Sequence, residues 1–172
     1  MAGHGLDQPD LDRCDQVSAT MCFDIREMTI DDYNEVLALW DACEGVGLHH
    51  EAEDSRDGIA RVLDHNTGLS FVALDGGRIV GTIVGSQDGR RGYVRHLAVA
   101  PSHRRRGIGR ALAERCTSVL RQAGIRRCNL HVMETNHDAL AFWAKLGWTG
   151  RRDIIYMSGD TEPEAGPGGA SR

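Results

Sequence analysis

The chemistry this sequence can do is concentrated in Leu97-Ala98-Val99-Ala100-Pro101-Ser102-His103-Arg104-Arg105-Arg106-Gly107-Ile108-Gly109-Arg110-Ala111-Leu112. A β-prone run ends at Val99, a polar turn follows, and an amphipathic helical pattern opens near Gly107. The start of a helix leaves about four backbone N–H groups without intrahelical partners, and the helix dipole draws anions to that end. Gly107 and Gly109 lack a Cβ, so a diphosphate can approach the backbone closely. Arg104, Arg105, Arg106 and Arg110 add positive charge where phosphates would sit. The segment reads as a phosphate cradle. It is not a P-loop, because no Gly-Lys-Ser/Thr follows the glycines. It is not a dinucleotide fingerprint either, because Leu112 stands where a third small residue is needed.

Such a cradle needs strands and helices to hold it, and their alternation is legible. Phe23 to Met28 reads as a strand, and Thr29 with Asp32 gives a helix start ahead of Tyr33, Val36, Leu37, Leu39 and Trp40. Ser55 to His65 places Ile59, Val62 and Leu63 on one helical face. Ser70 to Leu74 and Arg78 to Val84 are strands joined at Asp75-Gly76-Gly77, a hairpin signal. Gly85 to Gly92 reads as a polar turn before a strand from Tyr93 to Val99. A long helix from Gly107 to Gln122 turns Ile108, Leu112, Cys116, Val119 and Leu120 inward and ends at Gly124. Arg127 to Val132 reads as a strand, Asp138 to Leu146 as a helix stopped by Gly147, and Asp153 to Met157 as a last strand. The resulting β-α-α-β-β-β-α-β-α-β order implies an α/β (α+β) fold, a mixed sheet with helices on both faces.

Composition narrows the classes of function. At 172 residues the chain suits one domain, here residues 23–158, with a disordered leader over 1–22 and a disordered tail over 159–172. A formal charge of -5 argues against a dedicated nucleic-acid binder. No apolar run approaches a membrane span, and Asp7, Asp10, Asp12 and Asp15 leave no room for a secretory h-region. The five cysteines are odd in number and include no C-x-x-C pair. Free thiols in a reducing cytoplasm are expected, with no metal site and with Cys116 and Cys128 in the core.

The cradle motif Arg104-x-x-Gly107-x-Gly109 resembles the acetyl-CoA signature of the GCN5-related N-acetyltransferase (GNAT) superfamily, and the flanks strengthen the likeness. Leu97-Ala98-Val99-Ala100-Pro101 is similar to the family's apolar-x-Val-x-Pro strand end. Asn136-His137-Asp138-Ala139-Leu140-Ala141-Phe142-Trp143-Ala144-Lys145-Leu146-Gly147-Trp148 resembles its Asn-x-x-Ala-x-x-Phe-Tyr-x-x-x-Gly-Phe helix. The resemblance implies a mostly antiparallel mixed sheet with splayed central strands and acetyl-CoA (coenzyme A) as cosubstrate. It implies that Leu97, Ala98 and Val99 line the pantetheine arm, and that Arg104, Arg105, Arg106, Gly107, Ile108, Gly109 and Arg110 hold the pyrophosphate. Asn136 would contact the arm, and Phe142 and Trp143 would lie near the sulfur.

The activity so implied is N-acetylation of a primary amine on a small molecule or protein; a non-catalytic acetyl-CoA-binding regulatory module is the alternative. Trp143 departs from the family's Tyr, which protonates the leaving thiolate. An indole N–H donates a hydrogen bond but does not give up its proton at neutral pH, so Tyr156 or water becomes the candidate acid. His131 is the first candidate for general base, since imidazole accepts protons near neutrality; His96 and Glu134 are rivals. Alternation along a strand would put His131 and Glu134 on opposite faces. Asp41, Glu44, Glu51, Glu53, Asp54 and Asp57, with His49, His50 and Trp40, occupy the region that selects acceptors in the family. They form either a rim that attracts a cationic amine or an ordinary solvated loop. Trp148, Ile154 and Ile155 could serve a homodimer interface or the core.

Overall fold

The computed structural model describes residues 23–48, 53–159 and 161. The expected leader and most of the expected tail lie outside the described residues, as do His49, His50 and Glu51. Contacts divide the chain into two compact units that meet between Asn136 and His137.

The first unit contains strands β1 (Asp24–Glu27), β2 (Phe71–Asp75), β3 (Arg78–Gln87), β4 (Gly92–Val99) and β5 (Cys128–Leu130). Its helices are α1 (Tyr33–Asp41), α2 (Arg56–His65) and α3 (Ile108–Gln122). The sheet order is β1-β2-β3-β4-β5, antiparallel up to β4 and parallel between β4 and β5. This is the mixed, mostly antiparallel sheet that the sequence implied.

Helix starts follow local chemistry. The Asp32 carboxylate accepts the Thr29 N–H (2.9 Å) and is gripped by the Arg26 guanidinium at 2.7 and 2.6 Å. That guanidinium holds the Asp32 carboxyl below the usual carboxylate range. Ser55 caps α2 by accepting the Gly58 N–H (3.2 Å). α3 closes with two reciprocal bonds, Ile125 N–H to Leu120 O and Gly124 N–H to Arg121 O, with Gly124 at a φ of 80°. This is the closure that left-handed glycine permits.

Alternation along β3 separates the two helical layers. Thr82 faces α1, where it accepts the Trp40 indole N–H (2.8 Å), and Val84 joins Trp40, Val36, Leu39 and Ile59 in one buried cluster. Gly81 and Gly85 face α3. A Cβ at Gly81 would stand 2.8 Å from Ile108, and one at Gly85 would stand 2.7 Å from the Cys116 sulfur and against the Leu69 carbonyl. A Cβ at Gly92 would meet Leu120 at 2.7 Å. Ile108, Leu112, Cys116 and Leu120 therefore lie on a strip of bare backbone, which sets the helix close to the sheet. Burial pushes the Cys116 thiol up to about 12 and the Cys128 thiol up to about 11.

Three expected boundaries change. Gly85, Ser86 and Gln87 belong to β3, paired with Val94, Tyr93 and Gly92, and not to the turn. Gly85 is there for close approach, and the turn shrinks to Asp88–Arg91, where Asp88 accepts the N–H groups of Arg90 and Arg91. β5 stops at Leu130, two residues short of the expected end at Val132. Asp153 to Met157 is not a strand: within the described residues no strand supplies its ladder partners. Ile154, Ile155, Tyr156 and Met157 are exposed, so their β propensity is not realised.

The second unit is built on α4 (His137–Lys145). Trp148 N–H bonds to Trp143 O and Gly147 N–H to Ala144 O, the same glycine closure as in α3. It brings Trp148 edge-on to Trp143 with ring centroids 4.9 Å apart. No helix of the described residues is long and apolar enough to cross a membrane.

Candidate active site

β4 outruns its neighbour. β5 pairs only with Gly92, Tyr93 and Val94, so the β5-side edge of Arg95 to Val99 has no strand beside it among the described residues. That is the splay expected between the central strands. On the other side Ala100 N–H bonds to Val80 O (2.9 Å). The antiparallel alternation then turns the Ala98 backbone groups toward β3 and those of Val99 toward the open edge. The Val99 carbonyl accepts the Arg104 Nε–H (3.2 Å) and the Cys43 thiol (3.5 Å).

The open edge leads directly into the cradle. After a short 3-10 turn at Pro101–His103, Arg105 has a φ of 62° and Gly107 a φ of 82°. Left-handed residues set between right-handed or extended ones turn successive N–H groups toward one side, forming a concavity that suits an anion. The first bond of α3 is Ala111 N–H to Gly107 O, so the amides of Ile108, Gly109 and Arg110 have no intrahelical carbonyl. Around this nest the arginines differ. Arg106 is ion-paired with Asp75 (3.2 Å) and Arg110 with Glu114 (2.8 Å), while Arg104 lies on the β4 edge. Asp75 also takes His103 Nε2 at 3.2 Å, so the β2–β3 turn braces the cradle at two points.

At its midpoint β4 carries a bulge. Arg95 pairs with Val84 and Ala98 with Thr82, leaving His96 and Leu97 opposite Ile83 alone. His96 takes a φ of 47°, uncommon for a residue with a Cβ. Its Nε2 lies 2.7 Å from the buried Asp54 carboxylate, and its ring lies 4.6 Å from that of Trp40. Thr82 Oγ1 donates to the His96 carbonyl (3.0 Å), and the Tyr33 hydroxyl donates to the Asp54 carbonyl (3.0 Å). Asn136 abuts the α1–α2 connection, since a Cβ on Gly45 would collide with its side-chain amide.

Residues 33–148 match the family model described as "Acetyltransferase (GNAT) family". The chain belongs to the GNAT family. It is 34% identical over 134 residues to an acetyltransferase of Sodalis glossinidius, covering 78% of this chain and 92% of that protein. The GNAT fold is seen again in Ard1 from Thermoplasma volcanium, with a TM-score of 0.66, 24% identity, and coverage of 74% of this chain and 83% of that one. The PaiA N-acetyltransferase of Thermoplasma acidophilum, solved in complex with coenzyme A, superimposes with a TM-score of 0.63 at 16% identity, covering 72% of this chain and 87% of that one.

Within this GNAT chain the residues singled out from sequence are distributed unevenly. Leu97, Ala98 and Val99 come together with Arg104 to Arg110 along one continuous edge and turn. His131 and Glu134 are exposed in the irregular stretch after β5, so the strand alternation expected to set them on opposite faces does not operate there. Phe142 and Trp143 lie in α4, in edge contact with centroids 5.1 Å apart, and Trp143 is buried. Tyr156 is 70% exposed, outside any helix or strand. The Asp54–His96 pair escaped the sequence reading as a pair. Each residue is a candidate by its chemistry, but nothing local joins two positions 42 residues apart.

Proposed function

We propose that this GNAT protein transfers the acetyl group of acetyl-CoA to a primary amine on a small molecule or protein, by direct attack while both substrates are bound. The observation that carries the reading is the passage from an open strand edge at Val99, through one short turn, into the nest of Arg105 and Gly107 and the first amides of α3. A strand edge suits the amide-bearing pantetheine arm, which can pair with it like an added strand. The nest and helix start suit a diphosphate.

In this reading Leu97, Ala98 and Val99 line the arm. The amides of Ile108, Gly109 and Arg110, with Arg104, Arg105 and Arg106, take the phosphates. Fixed amide dipoles on the β4 edge stabilise the negative charge that develops on the thioester oxygen. Asn136 is assigned to the arm on the family resemblance. The departing thiolate, with a pKa of about 8.5 by analogy with cysteine, leaves without prior protonation. Exposed Asp41, Glu44, Glu53 and Asp57 flank the α1–α2 side and favour a cationic acceptor.

Thiol release from acetyl-CoA, measured against spermidine, tobramycin and a peptide with a free N-terminus, tests the reading. Amine-dependent release with mass-confirmed acetylation is expected. Acetyl-CoA binding with no release from any amine would contradict it.

A further inference from the structure

We infer that His96 and Asp54 form the proton-accepting pair of the site, His96 Nδ1 taking a proton from the acceptor's ammonium group while Asp54 orients the ring. This rests on the acetyltransferase reading above.

The backbone at His96 gives the first indication. A left-handed φ of 47° on a strand is disfavoured for a residue with a Cβ. Outliers of this kind persist where the surroundings over-determine them, and they gather at functional sites. Here the surroundings come from several elements. Thr82 on β3 donates to the His96 carbonyl and is itself fixed by the Trp40 indole. Asp54, beside the α2 cap, takes Nε2, and Tyr33 of α1 holds the Asp54 carbonyl. The bulge re-aims one side chain, and the packing holds it there.

The pairing of the ring gives the second. With Nε2–H donated to the Asp54 carboxylate, the Nδ1 lone pair is left as an acceptor. No hydrogen bond to Nδ1 is found among the described residues, and the side chain keeps 15% exposure while Asp54 keeps 6%. A carboxylate behind one nitrogen and an accessible lone pair on the other is the arrangement a general base needs. A pair serving only to fasten the α1–α2 connection to the sheet would need neither the left-handed backbone nor the open nitrogen.

Position gives the third. His96 directly precedes Leu97, Ala98 and Val99, and lies just past Val94, where β5 ends. It therefore stands at the start of the open edge assigned to the thioester arm. Asp54 belongs to the segment that also carries exposed Glu53 and Asp57, so an amine drawn to those carboxylates arrives beside the imidazole. Tyr33, whose hydroxyl donates to the Asp54 carbonyl, is the titratable group held against the pair from α1; Trp40 and Thr82 pack on His96, and the exposed carboxylates of Glu53 and Asp57 lie in the same segment as Asp54.

His96 takes one of the three ammonium protons. The freed amine lone pair forms the C–N bond as the C–S bond breaks. A second nitrogen proton ends on the departing sulfur, and His96 returns its proton to solvent. Asp54 touches neither substrate and is a positioning residue.

The test uses the full chain with His96→Asn, which tolerates a left-handed backbone, and Asp54→Asn as a second variant in case the first fails to fold. Acetyl-CoA affinity is measured by calorimetry, and kcat/KM by thiol release with spermidine, tobramycin and an N-terminal peptide, from pH 6 to 10. Affinity should stay within about twofold. For His96→Asn, kcat/KM should fall about 100-fold at pH 7, and the deficit should shrink toward pH 10, where the amine sheds its proton unaided. Asp54→Asn should lower kcat about tenfold with KM for acetyl-CoA unchanged.

A wild-type pH profile in His96→Asn would overturn the inference. So would parallel loss of acetyl-CoA affinity and activity, which marks a structural fastening, or the same kinetic loss in His131→Asn in place of His96→Asn. Acetyl-CoA bound by the wild type with no probe acetylated, or not bound at all, would instead bring down the reading on which the pair depends.

Discussion

Alanine at Gly81 should unsettle both the fold and the cradle, and the size of the effect follows from the contact it makes. The new Cβ would stand 2.8 Å from Ile108 Cγ2 and 3.1 Å from Leu112 Cδ1. Carbon atoms rest at about 3.5–4.0 Å, so the Ile108 methyl must retreat by roughly 0.7 Å or more. Leu112 can turn its terminal methyl aside. Ile108 cannot, because a β-branched side chain in a helix is stiff at χ1 and this one is 1% exposed. The first turn of α3 has to move instead. Overpacking of this kind costs about 1–3 kcal/mol, a drop of roughly 3–8 °C in Tm for a domain of this size. The amides of Ile108, Gly109 and Arg110 travel with that turn. A shift approaching 1 Å costs up to about 100-fold where geometry matters, so acetyl-CoA should bind at least about tenfold more weakly. Urea unfolding and calorimetric titration measure the two effects. In a double-mutant cycle with Ile108→Ala, which removes the obstructing methyl, the substitutions should fall short of additivity by about 1 kcal/mol. Gly89→Ala is the control: its φ of 82° carries a backbone cost, but its Cβ would meet nothing within 4 Å and affinity should hold. Gly81→Ala with stability within about 0.5 kcal/mol of wild type and unchanged affinity would mean that the contact with Ile108 does not position the start of α3.

Two other perturbations have definite signs. The Cys116 and Cys128 thiols sit at about 12 and about 11 in the folded chain, pushed up chiefly by burial, while unfolded thiols ionise near 8.5. A raised folded value means their contribution is complete below about pH 8.5 and is lost as pH rises toward 11–12. Urea midpoints should therefore fall through that window, and a Cys116→Ala/Cys128→Ala variant should fall less. Asp32 shows the opposite case: its carboxyl is lowered, first by the Arg26 hydrogen bond, so its contribution is present above its ordinary value of 3.8 and lost as pH falls below it. Asp32→Asn should cost about 1 kcal/mol at pH 7 and much less at pH 3, as read from urea unfolding at the two pH values.

The sequence made visible what is local. Ile108, Leu112, Cys116 and Leu120 recur every four residues and end at Gly124, so α3 could be read from its buried stripe and its stop. Thr29 and Asp32 marked the approach to α1. Asp75-Gly76-Gly77 marked the hairpin, where Gly76 and Gly77 take φ values of 58° and 81°. The turn into α3 was legible for the same reason, since the left-handed Gly107 and the helix start lie within a few residues of Pro101. What escaped depends on distant partners. Gly85 looks like a turn residue until Cys116 and the Leu69 carbonyl are seen against it. Asp153 to Met157 has strand composition, but a strand exists only when a neighbour completes its ladder. The bulge at His96 arises from the mismatch of β3 and β4, and its carboxylate partner comes from a segment 42 residues earlier.

Calorimetric titration of acetyl-CoA into the wild-type chain and into Gly109→Val, with thermal unfolding of both, tests the phosphate assignment. Micromolar binding to the wild type is expected and none to Gly109→Val, whose side chain stands where the diphosphate must approach the backbone, with the fold retained. Equal binding by both proteins would contradict the assignment of Arg104 to Arg110 as the phosphate cradle, and no binding by either would contradict the assignment of acetyl-CoA itself.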